Sequence, residues 1–304
     1  MTLQKFYSNG KLLITGEYLV LDGALALAIP TKFGQSLSVE SFEKGQLKWE
    51  SFDQDDKLWF EANLSISDGF QVLDDLDDPI INRLLEILGA AKRQNASFLD
   101  QEIGFKIKTH LDFPRNWGLG TSSTLINNIA QWANIDPYIL LADTFGGSGY
   151  DIACASHNKP ITYQLDKTGR TIVECDFDPE FKDQLYFVFL NKKQNSRDGI
   201  ATYKKNKRNS NLALSEVNAI TNEMISCTSL ESFQSLINSH ERIIADIIKQ
   251  TPVKELLFKD FKGSIKSLGA WGGDFILVAS EGNPQHYFKD KGFETTIAYR
   301  DMIL

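Results

Sequence analysis

Pro114-Arg-Asn-Trp-Gly-Leu-Gly-Thr-Ser-Ser123 is the stretch whose reading decides the fold of this chain. It follows Phe105 to Leu111, where apolar and polar residues alternate as in a strand, and it leads into a helical pattern from about Ser122 to Trp132. Glycines in such a turn let the backbone adopt positive φ and approach a ligand closely. The first N–H groups of a helix have no partner within it and lie at the positive end of its dipole, so they form an anion site. Ser122 or Ser123 can cap this helix or ligate a magnesium ion beside bound phosphates. The same residues also suit an ordinary strand–turn–helix connection with a serine cap. No Gly-Lys-Ser/Thr follows, so the turn is not of the Walker A type.

Working outward, residues 11–15, 18–21, 24–29 and 36–40 read as short strands, with Asp22-Gly23 as a hairpin turn between apolar runs. Residues 47–52 and 58–62 continue the strand pattern. Asp74, Asp75, Asp77 and Asp78, before Pro79, read as a solvated loop. Ile80 to Arg93 reads as a helix with Ile81, Leu84, Leu85 and Leu88 on one face. A short helix from Pro137 to Thr144 precedes a glycine cluster at Gly146, Gly147 and Gly149. Residues 161–165 and 185–190 read as strands, and 216–227 and 230–249 as helices. A glycine turn, Gly269 to Gly273, feeds the apolar run Phe275 to Ala279. The polar stretch from about Asp166 to Lys182 is the expected boundary, dividing the chain into domains 1–170 and 171–304.

Composition narrows the function. The chain has 304 residues, 42% hydrophobic and 24% charged, which are values of a globular protein of about two domains. Its net charge of −8 argues against a nucleic-acid partner, yet an acidic protein still binds phosphate through local backbone dipoles and a few lysines. No run approaches the ~20 apolar residues of a membrane span, so no membrane partner is expected. Cys154, Cys175 and Cys227 are sparse and odd in number and show no metal-binding spacing, which fits a reducing, cytoplasmic setting. The four histidines have no partner spacing.

Four segments in order resemble the motifs of the GHMP kinases, which include galactokinase, homoserine kinase, mevalonate kinase and phosphomevalonate kinase. Residues 114–123 resemble PxxxGLGSSAA, the segment that wraps the ATP phosphates. Residues 10–23 (GKLLITGEYLVLDG) resemble GKxxLxGEHxVxxG. Gly147 to Ala153 resembles the SGxD segment, and Leu268 to Phe275 (LGAWGGDF) resembles SGAGGGG with Trp271 in place of a small residue.

The resemblance implies an α+β, two-lobed GHMP kinase fold, with an N-terminal ATP-binding lobe like domain 2 of ribosomal protein S5 and a ferredoxin-like C-terminal lobe. It implies an enzyme, an ATP-dependent kinase using ATP and Mg2+ on a small-molecule substrate. Pro114, Gly118, Leu119, Gly120, Thr121, Ser122 and Ser123 would bind the nucleotide. Lys11 would stabilise charge on the transferred phosphoryl group, and Asp151 would act on the acceptor hydroxyl. The third glycine loop would pack against the phosphate loop. Glu17, Tyr18 and Gly149, with Ser196 from the segment Lys192 to Arg197, would contact the acceptor. Ser122 would ligate magnesium.

Mevalonate kinases place a magnesium-binding glutamate before the SGxD segment. The 29 residues from Ser122 to Asp151 contain none. Asp143, or more remotely Asp136, is the available carboxylate. Gly16-Glu-Tyr18 and Gly272-Gly-Asp274 resemble phosphomevalonate kinases more than mevalonate kinases, so phosphomevalonate is the expected acceptor and mevalonate the alternative. The missing glutamate and the altered third loop keep open a catalytically weak binding protein of the same fold.

Overall fold

The computed structural model describes residues 3–66, 70–73, 78–99, 103–167, 169–193, 196–206 and 211–304. Asp74, Asp75, Asp77, Gln194 and Asn195 lie outside the described residues, as do the side chains of Ser196 and Arg197. The chain forms two compact units. The first comprises Met1–Gly10, Phe33–Arg115 and Gly120–Ser156, and the second Lys11–Lys32, Asn116–Leu119 and His157–Leu304. This division is not the linear one expected near residue 170.

In the first unit, the strand Gln46–Phe52 pairs antiparallel with Leu58–Ser65 and parallel with Gly104–Leu111. Gln35 to Phe42 pairs antiparallel with the far edge of Gly104–Leu111. A parallel pair needs a crossover, and the helix Pro79–Gln94 lies in that connection. Its start follows from sequence: Asp78 accepts a hydrogen bond from the Ile80 N–H at 2.7 Å, and Pro79 needs no partner for an N–H it lacks. Ile81, Leu84, Ile87 and Leu88 are buried on one face, and they join Leu37, Trp49 and Ile107 from the sheet in one core.

The helix Thr121–Ala133 also packs on that core, through Ile126, Ile129 and Ala130. Its other buried positions are polar. Asn127 donates to Ser8 Oγ at 2.9 Å, and Ser8 donates to Asn128 Oδ1 at 2.7 Å. Asn128 donates to the Gln35 carbonyl at 2.9 Å, and Thr124 to Gln35 Oε1 at 2.7 Å. A buried polar network is favourable only when its members are satisfied, and it then fixes register. Here it fixes the helix against two strands.

In the second unit, Ala26 to Ala28 pairs with the strand Ile161–Asp166, which forms a hairpin with Gly169–Glu174. That hairpin crosses the polar stretch expected as a domain boundary. A separate antiparallel sheet runs in the order Ser264–Ser267, Phe275–Ala279, Leu185–Phe189, Thr296–Ala298. The helices Ser196–Asn206, Asn211–Ile225 and Leu230–Ile248 belong to this unit.

Two expected strands are corrected. Residues 18–21 are not a strand: Leu19–Asp22 forms a 3-10 turn, closed by Gly23 at φ 92°, whose N–H bonds back to Leu19 and Val20. The Asp22-Gly23 pair therefore ends a helical turn rather than making a hairpin. Of the expected runs 24–29 and 36–40, residues 26–29 and 36–40 are parts of one 17-residue strand, Ala26–Phe42. Pro30 falls between the strand's pairing with Ile161–Asp166, which ends at Ala28, and its pairing with Gly104–Leu111, which begins at Gln35.

Cys154, Cys175 and Cys227 form no disulfide. Among the described residues no helix is long and apolar enough to cross a membrane.

Candidate functional site

The turn before the helix Thr121–Ala133 has the backbone its sequence demands. Gly118 has φ 69° and Gly120 has φ 97°, both in the left-handed region open to glycine. Gly120 is the N-cap, and no side chain caps the helix start. The first-turn amides therefore have the character of an anion site. The two candidate hydroxyls separate. Ser123 is 7% exposed, and its Oγ donates to the Gly120 carbonyl at 2.8 Å. Ser122 is exposed. Its hydroxyl is the one that can meet a ligand. Pro114 and Thr121 flank the turn, half-buried, and Leu119 is fully buried.

Lys11 is clamped to this turn twice. Its N–H donates to the Leu119 carbonyl at 2.9 Å, and its Nζ donates to the Gly118 carbonyl at 3.3 Å. Both contacts lie within the second unit. The third loop reaches the same place. A Cβ built on Gly118 would lie 2.4 Å from Asp274 Cγ, so the Asp274 carboxylate lies against this turn only because residue 118 has no side chain. Trp117 packs edge-to-face on Phe275, ring centroids 5.3 Å apart. The third loop thus packs on the glycine turn through Asp274 and Phe275.

Glu17, expected to face an acceptor, is instead fully buried. Its carboxylate forms an ion pair with Lys266, which is also fully buried. Burial raises the Glu17 carboxyl above its ordinary range, and the Lys266 ammonium opposes this. His240 Nε2 accepts the Gly16 N–H at 3.1 Å, so its proton sits on Nδ1. Burial first, and the Lys266 charge second, hold His240 well below its ordinary value. The ring is neutral, and its 3.4 Å approach to Glu17 is not an ion pair. Glu241 completes the group: it accepts from the Ser267 N–H at 3.0 Å and the Ser267 hydroxyl at 2.9 Å. Burial pushes its carboxyl up to about 8.

Tyr18 is likewise placed for structure. It is 6% exposed, its hydroxyl donates to the Ala270 carbonyl at 2.7 Å, and its ring stacks on Tyr203 at 5.8 Å. The segment 16–18 is therefore tied by a charge pair to the strand Ser264–Ser267, by hydrogen bonds to the helix Leu230–Ile248 and the third loop, and by an aromatic stack to the helix Ser196–Asn206. Sequence reading gave no sign of Lys266, His240 or Glu241.

The remaining expected residues lie in the first unit, apart from Ser196. Asp151 is half-buried at the second position of the helix Tyr150–Ser156. A carboxylate in a first helical turn is favoured by the dipole. Gly149, at φ 89°, is buried and precedes that helix. Asp143 is exposed at the C-cap of the helix Pro137–Ala142. Asp136 caps the start of the same helix by accepting from the Tyr138 N–H at 2.7 Å, which accounts for that carboxylate. Ser196 begins the helix Ser196–Asn206. Among the described residues no group of three or more histidine, cysteine, aspartate or glutamate side chains could hold a metal ion.

No family model matches the chain, and no curated protein matches it. Solved structures do. Mevalonate kinase of Methanococcus jannaschii aligns with a TM-score of 0.69 at 14% identity, over 97% of this chain and 96% of that one. Phosphomevalonate kinase of Streptococcus pneumoniae, solved with phosphomevalonate and AMPPNP, aligns with a TM-score of 0.70 at 15% identity, over 96% and 99%. Galactokinase of Lactococcus lactis, solved with galactose, aligns with a TM-score of 0.68 at 13% identity, over 96% and 89%. At such identities the likeness speaks to architecture, and what it shows is that this chain has the α+β fold of the GHMP kinases.

Proposed function

We propose that the chain is an ATP-dependent small-molecule phosphotransferase of the GHMP family, acting on phosphomevalonate. The observation that carries this reading is the double attachment of Lys11 to the backbone of Gly118 and Leu119, in the glycine turn whose chain runs on into the helix Thr121–Ala133. Free amides hold phosphate, and an ammonium fixed beside them meets the charge that develops on a transferred phosphoryl group. The turn residues 118–123 hold the nucleotide phosphates. Asp151 orients the acceptor hydroxyl and takes its proton as that oxygen attacks the γ-phosphorus, while the bond from the γ-phosphorus to the bridging β–γ oxygen breaks and ADP leaves. Catalysis is then mainly positioning and charge stabilisation.

Ser122 and Asp143 offer exposed oxygen donors, which suit a hard cation that keeps several waters. They would hold magnesium, which would neutralise phosphate charge. The three cysteines free of disulfides accord with a cytoplasmic setting, which fractionation of the expressing cell would check.

The acceptor rests on Gly16-Glu-Tyr18 and Gly272-Gly-Asp274 alone. The structural neighbours include kinases of mevalonate, phosphomevalonate and galactose alike, at similar TM-scores. Mevalonate is the second choice. A catalytically weak binding protein is the reading from another class, favoured by Trp271, which is 1% exposed in a loop that elsewhere has small residues.

One assay separates these. ATP turnover is measured with mevalonate, phosphomevalonate, homoserine and galactose offered side by side. Phosphomevalonate is expected to be preferred. Preference for another acceptor corrects the substrate and keeps the enzyme. Binding of Mg-ATP with no turnover on any acceptor supports the binding protein.

A further inference from the structure

The second unit contains a cleft of about 440 Å3 lined by Asn238, Glu241, Arg242, Lys254, Glu255 and Lys259. None of these belongs to the glycine turn, the Lys11 segment or the third loop. Its volume is in the range of small-molecule sites.

Charge sets its chemistry. Three cations, Arg242, Lys254 and Lys259, face two carboxyl groups, Glu241 and Glu255. Glu241 is 4% exposed and stays protonated up to about pH 8 because of burial. Near neutrality the lining therefore carries three positive charges against one negative. Neither Arg242 nor Lys259 makes an ion pair among the described residues. Arg242 Nε donates to the Asn238 carbonyl at 3.1 Å, which leaves its terminal amino groups for a ligand. Lys254 Nζ donates to the Gly263 carbonyl at 2.7 Å, keeping two further N–H donors. In a chain of net charge −8, this is a local, uncompensated excess of positive charge.

We propose that this cleft is a second ligand site, for a small phosphate-bearing anion. The guanidinium supplies the planar fork that suits phosphate oxygens, and the two ammonium groups supply point charges. Other ionisable groups around Glu241 are Lys266, 3.9 Å away, Glu17, which shares that ammonium, and neutral His240. Once Glu241 ionises it becomes a like charge beside the bound anion, so affinity falls as pH rises through about 8.

Titration with inorganic pyrophosphate in metal-free buffer at constant ionic strength, followed by amide chemical shifts, tests this. Shifts are expected at residues 238–242 and 252–265, apart from any at 118–123. The double variant Arg242→Ala/Lys259→Ala alters two exposed side chains and keeps the fold, as an unchanged thermal transition confirms. It is expected to weaken binding at the cleft by about tenfold or more. Glu241→Gln is expected to flatten the decline above pH 8. Shifts confined to 118–123, or an affinity unchanged in the double variant, overturn the proposal. Neither outcome touches the kinase reading, because turnover does not enter the measurement.

Discussion

Lys11 and Asp151 are the residues on which the proposed chemistry turns. Lys11→Ala and Asp151→Asn are each expected to lower turnover by about a hundredfold or more, the scale for a positioned charge-stabilising or acid–base group. Mg-ATP affinity should change little in either, because the ground-state phosphates rest on the glycine turn. Asp143→Asn should instead raise the magnesium concentration needed for half-maximal rate. Single-turnover rates, nucleotide titrations and magnesium titrations check the three. Full activity in Asp151→Asn would return Gly147 to Ala153 to a purely structural role. Gly118 makes a different kind of prediction. Alanine there meets the Asp274 carboxylate at under 3 Å and takes up φ 69°, a left-handed conformation that costs an L-residue about 1–2 kcal/mol. Gly118→Ala should lose at least that much stability in chemical denaturation. Asp274→Gly in the same chain should recover part of the loss, because it removes the clashing carboxylate at a position that is itself at φ 52°.

At the scale of elements, the buried group around Lys266 joins the segment 16–18, the helix Leu230–Ile248 and the strand Ser264–Ser267. It also gives the protein a definite pH response. The Glu241 carboxyl titrates at about 8 when folded and at about 4.5 otherwise. Between those values the folded chain holds a proton that the unfolded chain releases, so this residue's contribution to stability falls as pH rises through the window and levels off above about 8. Glu241→Gln removes the titration. The stability of the wild type relative to Glu241→Gln should decline from pH 5 to pH 8, read from urea unfolding at several pH values. A constant difference would mean that Glu241 is charged throughout. Elements with a local signal were legible: the apolar spacing of Ile81, Leu84 and Leu88 marks the helix Pro79–Gln94, alternation marks Gly104–Leu111, and the glycine turn opens Thr121–Ala133. What was not legible depends on distant partners. Glu17 reads as a polar residue in a motif until Lys266, 249 positions later, takes up its charge. The run Leu19 to Asp22 is apolar enough for a strand, but its N–H groups close a turn instead of a ladder. The polar positions Asn127 and Asn128 look solvent-facing until Ser8 and Gln35 supply their partners.

At the scale of the whole molecule, the chain's order and its units disagree, and this has a consequence for folding. Residues 11–32 belong to the second unit although more than a hundred residues of the first separate them from its main body. They supply the strand partner of Ile161–Asp166 through Ala26 to Ala28. Pro30 and Thr31 hold the C-terminus, with Leu304 N–H donating to the Pro30 carbonyl at 3.3 Å and Thr31 bridging Ile303. Lys266 and His240 are left buried without Glu17 and the Gly16 N–H when that segment is absent. A buried charge stripped of its partner costs about 3–5 kcal/mol, a large part of the ~5–15 kcal/mol that stabilises a typical domain. A fragment spanning 157–304 should therefore fail to fold alone, even though it holds most of the second unit. It is expected to show no cooperative thermal transition and little near-ultraviolet circular dichroism. Mixing with a fragment spanning 1–156 should restore both, since that piece brings residues 11–32 and 116–119. A cooperative transition in 157–304 by itself would show that the N-terminal segment adds to this unit without being needed to form it.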